Sequence, residues 1–272
     1  MRRWSLRFYT IGSCLGAALL AGCSGSQPPN GAPATMPQSR ALAERGNNAN
    51  FKLLYSFVGG DDGAHPAAPL LDEDGTLYGT TTVGGDAYAT AGTVYSITTS
   101  GSEKLLYSFT GVPNGSNPTG SLIDVGGTLY GTTTLGGPRR AGTVFSVTTS
   151  GVENVLHKFG SGTDGVTPAG GLIDVKGTLY GTTIEGGADN EGTVFSVTTK
   201  GTEKVLYSFR GEPDGNNPWS ALLDVAGTLY GTTNFGGAYN LGTVFSITTS
   251  GTQKVPSTAS AESPTAATPE EA

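Results

Sequence analysis

A unit of about 50 residues recurs four times along this chain, and this periodicity constrains the fold more than any other feature. The sequence Gly-Thr-Leu-Tyr-Gly-Thr-Thr begins at steps of 52, 50 and 50 residues, at Gly75, Gly127, Gly177 and Gly227. A second block, Gly-Thr-Val-(Tyr/Phe)-Ser-(Ile/Val)-Thr-Thr, begins at Gly92, Gly142, Gly192 and Gly242. Repeats of this length bury a core by stacking on their neighbours, so we expect one repeat domain over residues 51–255.

Each repeat contains four blocks with the spacing of β-strands. The third block is Leu-Tyr-Ser-Phe at 54–57, 106–109 and 206–209, with the variant Leu-His-Lys-Phe at 156–159. The fourth block is a short apolar run that ends at Asp72, Asp124, Asp174 and Asp224. Gly-Gly, Ser-Gly and Lys-Gly pairs between the blocks indicate tight turns. The high glycine content and the low fraction of charged residues, 14 %, agree with an all-β fold.

Four short strands in each unit are typical of a β-propeller blade. The order of the blocks resembles that of NHL-type propellers. This resemblance implies that the run ending in Asp is the innermost strand, A, that the two Gly-Thr blocks are strands B and C, and that Leu-Tyr-Ser-Phe is the outermost strand, D.

The last repeat is short by one strand. Its strand D should follow Val255, but Pro256 and a polar segment stand there, while the region begins with an unmatched strand D at residues 51–57. We therefore predict a propeller of four blades with four strands each, whose ring is closed by residues 51–57 completing the last blade, because closure removes exposed sheet edges. An open stack of four units and a ring completed by two chains are the alternatives.

The two Gly-Thr blocks are specific enough to indicate a family. Residues 51–255 resemble the GloVer tandem repeat of exported bacterial proteins, whose members use varied anchors. The resemblance implies an extracytoplasmic location and implies no known activity.

The N-terminus predicts export and lipid attachment. Residues 1–22 combine a cationic start with a short apolar segment, and Leu20-Ala21-Gly22-Cys23 resembles a lipobox, so we expect cleavage between Gly22 and Cys23 and acylation of Cys23. A secretory peptide that merely contains a cysteine is the alternative. Residues 23–50 then form a lipidated, flexible linker, and residues 256–272 a disordered tail. By resemblance to the sorting rule of enteric bacteria, Ser24 favours the outer membrane, which places the protein in the cell envelope.

Charge and cysteine content exclude several partners and chemistries. The net charge is −7, and removal of Arg2, Arg3 and Arg7 with the export segment leaves 12 basic and 22 acidic residues, or −10. A surface of this sign repels phosphate backbones, so no nucleic-acid partner is expected. Both cysteines, Cys14 and Cys23, lie outside the repeats, which excludes disulfide and thiolate chemistry there.

Recurrent polar residues are best interpreted as parts of the fold. We expect turns at Asp62, Asn114, Asp164 and Asp214, where one or two acids per loop are too few for calcium. We expect Asp72, Asp124, Asp174 and Asp224 to accept hydrogen bonds from turn amides, with a cation site in a central channel as the alternative. His65 and His157 have no matching partners for acid–base work, and no nucleophile or metal motif is present. We therefore assign no catalytic residue, no cofactor and no metal.

The loops that differ between repeats are the better candidates for binding. In a propeller the B–C and D–A loops share one face, so Tyr88, Arg139, Arg140, Trp219 and Tyr239 could form one rim for a glycan or an envelope protein. Unconstrained variation of surface loops is the alternative. The leading functional hypothesis is a membrane-anchored binding or scaffold module of the cell envelope. A lyase or hydrolase acting on an envelope glycan at the channel mouth, and a purely structural surface protein, are the alternatives.

Overall fold

The computed structural model describes residues 51–85 and 91–252 of the chain. The predicted signal peptide, Cys23, the linker, Tyr88 and the C-terminal tail lie outside these residues. The described part is all-β, as predicted, and its helical content is one 3-10 turn at Gly60–Asp62. No helix in this part of the chain has the length and apolar character needed to span a bilayer.

The first two repeats each form an antiparallel sheet whose main strands follow the chain order. The first sheet contains β1 (Ala64–Pro66), β2 (Leu71–Glu73), β3 (Thr76–Val83), β4 (Thr93–Thr98) and β5 (Glu103–Ser108). The second contains β6 (Ile123–Val125), β7 (Thr128–Thr133), β8 (Thr143–Thr148) and β9 (Glu153–Lys158). The strands β2 to β5 and β6 to β9 are the predicted strands A to D.

The third and fourth repeats each contain a separate pair of short strands in addition to their main sheet. In the third repeat these elements are β10 (Gly165–Val166), β11 (Ile173–Val175), β12 (Thr178–Thr183), β13 (Glu185–Gly186), β14 (Thr193–Thr198) and β15 (Glu203–Ser208). In the fourth they are β16 (Gly215–Asn216), β17 (Leu223–Val225), β18 (Thr228–Thr233), β19 (Phe235–Gly236) and β20 (Thr243–Thr248). β10 pairs with β13 and β16 with β19, whereas the other strands form the third sheet, β11-β12-β14-β15, and the last sheet, β17-β18-β20.

The recurrent sequence blocks have direct structural causes. In the second sheet, the hydroxyl oxygens of Thr133 and Thr143 lie 2.8 Å apart across strands B and C. The same pair occurs in every repeat, buried in the first three and partly buried in the fourth. Gly131 faces the ring of Phe145, and a β-carbon at this position would lie 2.7 Å from a ring carbon. Glycine in strand B is therefore required by the aromatic residue opposite it on strand C.

The hydrophobic core lies between successive sheets. Three buried clusters fill the three junctions, and each combines the strand-D phenylalanine of one sheet with the leucine just before strand A and with strand-B and strand-C residues of the next. The aromatic rings meet edge to face at centroid distances of 4.9–5.1 Å, in the pairs Phe109–Phe145, Phe159–Phe195 and Phe209–Phe245. Each of the first three sheets thus packs one face against the sheet that follows it in the chain.

The predicted strand at residues 51–57 is not formed, and this part of the fold prediction needs correction. Within the described residues, the last sheet has three strands, and β20 has no partner on its outer edge. Residues 51–57 lie against the first sheet instead, where the ring of Phe57 packs on Tyr95 at 4.9 Å. They occupy the position that strand D of a preceding sheet would have, but they pair with no strand. The physical reason is that the edge-to-face contact of Phe57 with Tyr95 holds residues 51–57 against the first sheet, and this contact does not depend on backbone pairing with another strand.

Candidate functional site

The B–C and D–A loops lie together at one edge of the sheets, which we call the loop edge. Backbone hydrogen bonds join the two loops in each repeat, for example Gly137 N to Gly111 O at 3.0 Å and Gly187 N to Asp164 O at 2.8 Å. The short pairs β10–β13 and β16–β19 are part of the same connection. The predicted neighbourhood of these loops is therefore present, and side chains on them project from a backbone held by hydrogen bonds.

Arg140 lines a cavity at the loop edge. The cavity has a volume of about 540 Å³ and is bordered by Thr110, Gly111, Val112, Ser116, Leu135, Gly136 and Arg140. Val112 and Leu135 are exposed although both are apolar. Arg140 has a φ of 58°, in the left-handed region, and its backbone N–H donates to Gly137 O in the turn. The turn therefore holds Arg140 beside a solvent-open cavity that also presents two apolar side chains.

Of the other predicted rim residues, the described Arg139, Trp219 and Tyr239 lie on loops of the same edge but do not line this cavity. Arg139 lies beside Gly160 of the next D–A loop, because a β-carbon on Gly160 would come within 3.2 Å of the Cβ of Arg139. Trp219 is 60 % exposed on the last D–A loop, and Tyr239 is 73 % exposed on the last B–C loop. The rim is therefore spread over two repeats: a cationic part in the second and an aromatic part in the fourth.

The aspartates at the end of strand A serve their turns. Asp72, Asp124, Asp174 and Asp224 accept hydrogen bonds of 2.8–3.1 Å from the amides of Gly75, Gly127, Gly177 and Gly227. Asp224 also borders a cavity of about 560 Å³ at the opposite edge, together with Lys176, Tyr180 and Thr249. The geometry matches the turn interpretation of these carboxylates.

A second polar arrangement, which sequence reasoning missed, recurs between neighbouring sheets. We call it the junction triad. It consists of a tyrosine or histidine on strand D, or on residues 51–57 before the first sheet, the Asp or Asn of the following loop, and the glutamate that begins strand D of the next sheet. Tyr55 donates its hydroxyl to Asp62 at 2.8 Å, and Asn114 donates to Glu153 at 3.1 Å and to Tyr107. The signal was available, because Glu103, Glu153 and Glu203 occupy equivalent positions in the repeats.

The junction triads perturb several titrations. The hydrogen bond to Asp62, followed by partial burial, raises the pKa of Tyr55 to about 12. Burial is the main cause that raises the pKa of Glu103 and of Glu153 above the usual carboxyl range. Negative charge is thus unfavourable at these junctions unless a hydrogen-bond donor or a cation offsets it.

Comparisons with known proteins agree with the repeat analysis. The model of the family described as the Gloeobacter/Verrucomicrobia repeat matches residues 43–184 and 155–271. No curated protein matches the chain. Among solved structures, a gluconolactonase from Xanthomonas campestris is 16 % identical, with a TM-score of 0.42, and the match covers 65 % of this chain and 57 % of the gluconolactonase.

Two further solved structures are similarly distant. A native arabinanase from Bacillus subtilis is 14 % identical with a TM-score of 0.37, and the match covers 68 % of this chain and 71 % of the enzyme. A neuraminidase-like protein of subtype N11, from an influenza virus of a flat-faced bat from Peru, is 14 % identical with a TM-score of 0.38, and covers 68 % and 61 % of the two chains.

Proposed function

This chain belongs to the Gloeobacter/Verrucomicrobia repeat family, and we propose that it is a lipid-anchored binding module of the cell envelope whose loop edge holds an envelope glycan. The observation that carries this proposal is the cavity beside Arg140, at the edge whose loops vary between repeats and which carries exposed aromatic rings in the fourth repeat.

The chemistry of the loop edge suits a sugar ligand. The exposed rings of Trp219 and Tyr239 offer flat apolar faces for the C–H faces of sugar rings, while the guanidinium of Arg140 presents donors to hydroxyl or carboxylate oxygens. The mature chain carries a net negative charge, so most of its surface repels anionic ligands. Arg139 and Arg140 form a local cationic site on this surface.

A binding experiment with matched variants tests the proposal. The protein is passed over immobilised envelope polysaccharides, and retention is compared with that of Arg140→Ala, of the double variant Trp219→Ala with Tyr239→Ala, and of Lys200→Ala. Lys200 is an exposed cation on a C–D turn, at the opposite end of the strands, and serves as the control. Loss of retention in the first two variants alone is expected. Equal retention of all variants contradicts the glycan proposal, and so does retention of this protein on immobilised envelope proteins alone. Shortened glycan in the eluate indicates the enzymatic alternative.

The anchor is the second part of the proposal. Cleavage before Cys23 and its acylation would tether the repeat domain to a membrane surface through residues 24–50. Mass spectrometry of the membrane fraction should identify a diacylated Cys23 at the mature N-terminus. Cys23→Ser should move the protein to the soluble fraction, and unchanged membrane association of that variant contradicts the anchor.

We further propose that the four sheets are blades of a β-propeller, and that residues 51–57 of a second copy complete the last blade. Two faces support this proposal. Val244 is 71 % exposed on the last sheet, whereas its equivalents Val94, Val144 and Val194 are fully buried by the next sheet. Phe51 and Leu53 are exposed on the segment that already packs as a strand D does. In the earlier repeats the residue equivalent to Val244 pairs with the tyrosine or histidine equivalent to Tyr55.

Cross-linking tests this pairing directly. In a background of Cys14→Ser and Cys23→Ser, the substitutions Tyr55→Cys and Val244→Cys place thiols at the expected register, within reach of a disulfide. A disulfide-linked dimer is expected under oxidising conditions. A cross-link within one chain would instead support the single-chain ring, and no cross-link would contradict pairing of these residues. Lys52→Cys combined with Lys200→Cys is the unpaired control.

A further inference from the structure

One junction triad contains a histidine where the others have a tyrosine. Between the second and third sheets, His157 replaces the tyrosine of strand D, while Asp164 and Glu203 keep the carboxylates of the motif. At the preceding junction the same positions are Tyr107, Asn114 and Glu153. The change introduces an imidazole beside two carboxylates, which is a set of metal ligands rather than of hydrogen-bonding partners alone.

The packing of this residue shows that the substitution retains the fold. The imidazole of His157 meets Phe159 edge to face at 4.7 Å, as Tyr107 meets Phe109 at 5.1 Å. Its Nε2 lies 2.9 Å from Asp164 Oδ2. The histidine therefore occupies the tyrosine position without displacing its neighbours. What distinguishes it from tyrosine is the chemistry of the imidazole.

The three side chains converge on one point. The imidazole nitrogen of His157 and carboxylate oxygens of Asp164 and Glu203 lie within 4.8 Å of one another, and among the described residues this is the only such group of three. Two ligands bound at about 2.1 Å to one ion lie no more than about 4.2 Å apart, so a small side-chain rotation completes the set. The side chain of His157 is 20 % exposed, so solvent reaches the group, whereas that of Asp164 is 8 % exposed.

Glu203 has an unmet requirement at this point. Its Oε1 is buried and has no hydrogen-bond partner, as is also the case for the equivalent Glu103 and Glu153, so the imidazole of His157 is what sets this junction apart. Two carboxylates that face each other in a half-buried junction are stabilised by a bound cation, which supplies the missing ligand for Glu203.

We propose that His157, Asp164 and Glu203 form a zinc site at the junction of the second and third sheets. One nitrogen and two oxygen ligands suit Zn²⁺, and a water molecule would take the fourth, solvent-facing position. The ion would link strand D of the second repeat to strand D of the third, and so join two sheets that are otherwise held by apolar packing.

Titration with zinc alone tests the proposal, because the repeats provide matched variants. The full chain is alkylated at its cysteines, freed of metal by chelation and titrated with ZnCl₂ in a calorimeter. The expected result is one Zn²⁺ per chain and a zinc-dependent rise in melting temperature. His157→Tyr restores the residue of the other repeats, so it should fold normally and lose both effects. His65→Ala removes the other histidine of the repeat region and should change neither.

A gain of function provides the second measurement. Tyr55→His places an imidazole beside Asp62 and Glu103, the equivalent carboxylates of the first junction. This variant should bind a second Zn²⁺, with the chemical shifts of two imidazoles changing on zinc addition. The proposal is overturned if the wild-type chain binds no zinc, or if His157→Tyr binds zinc as tightly as the wild type.

Discussion

Val194 and Val244 occupy the same position in consecutive repeats, yet the structure gives them opposite surroundings. Val194 is fully buried on strand C of the third sheet, and Val244 is 71 % exposed on strand C of the last. The substitution of each valine by alanine should therefore have very different costs, although the local sequences, Gly-Thr-Val-Phe-Ser, are identical. This contrast is a direct test of the open last sheet.

The magnitude follows from the buried carbon. Each substitution removes two methylene equivalents, worth about 0.8 kcal/mol apiece when buried, and a residual cavity adds to this at a packed site. Val194→Ala should lower the free energy of unfolding by about 2–3 kcal/mol. Val244 keeps less than a third of its surface buried, so Val244→Ala should cost about 0.5 kcal/mol in the separate chain.

The assay is urea unfolding followed by far-ultraviolet circular dichroism, at protein concentrations where sizing shows single chains. The midpoint of Val194→Ala should fall clearly, and that of Val244→Ala should remain close to the wild type. If a second copy covers the last sheet, the cost of Val244→Ala should increase with protein concentration. Equal costs for both variants in separate chains would refute the arrangement of exposed and buried faces given above.

Two further predictions concern a strained glycine and a perturbed tyrosine. Gly142→Ala should destabilise the fold strongly, because φ is +92° and the new β-carbon would lie 2.3 Å from Thr133 O. Gly177→Ala, at φ +80°, meets open space and should cost only about 1–2 kcal/mol in thermal melts. Similar melting temperatures for the two variants would contradict this contact. Tyr55 should titrate near pH 12 in ultraviolet absorbance. Because its folded pKa is raised from 10, its contribution to stability is complete below pH 10 and is lost as pH rises towards 12. Asp62→Asn should return this titration towards pH 10, and an unchanged titration would exclude the hydrogen bond as its cause.

The candidate sites were predictable to different degrees. The loop edge could be located from the repeats, since the alternation of strands and turns dictates which loops meet at one end of the sheets. The cavity beside Arg140 could not, because it depends on how the side chains of Val112 and Leu135 lie between two loops. The junction triad was also missed, because Asp164 and Glu203 are 39 positions apart and meet only when two sheets stack.

The sequence by itself determined the family, the four strands within a repeat and the turns between them. These features depend on neighbouring residues: Thr133 and Thr143 pair across one hairpin, and Gly131 makes room for the ring of Phe145 on the adjacent strand. Only the tertiary structure decided that residues 51–57 form no strand and that, among the described residues, β20 has no strand on its outer side. The physical reason is that closure depends on the small rotation between successive sheets, summed over all repeats, and no single repeat encodes that sum.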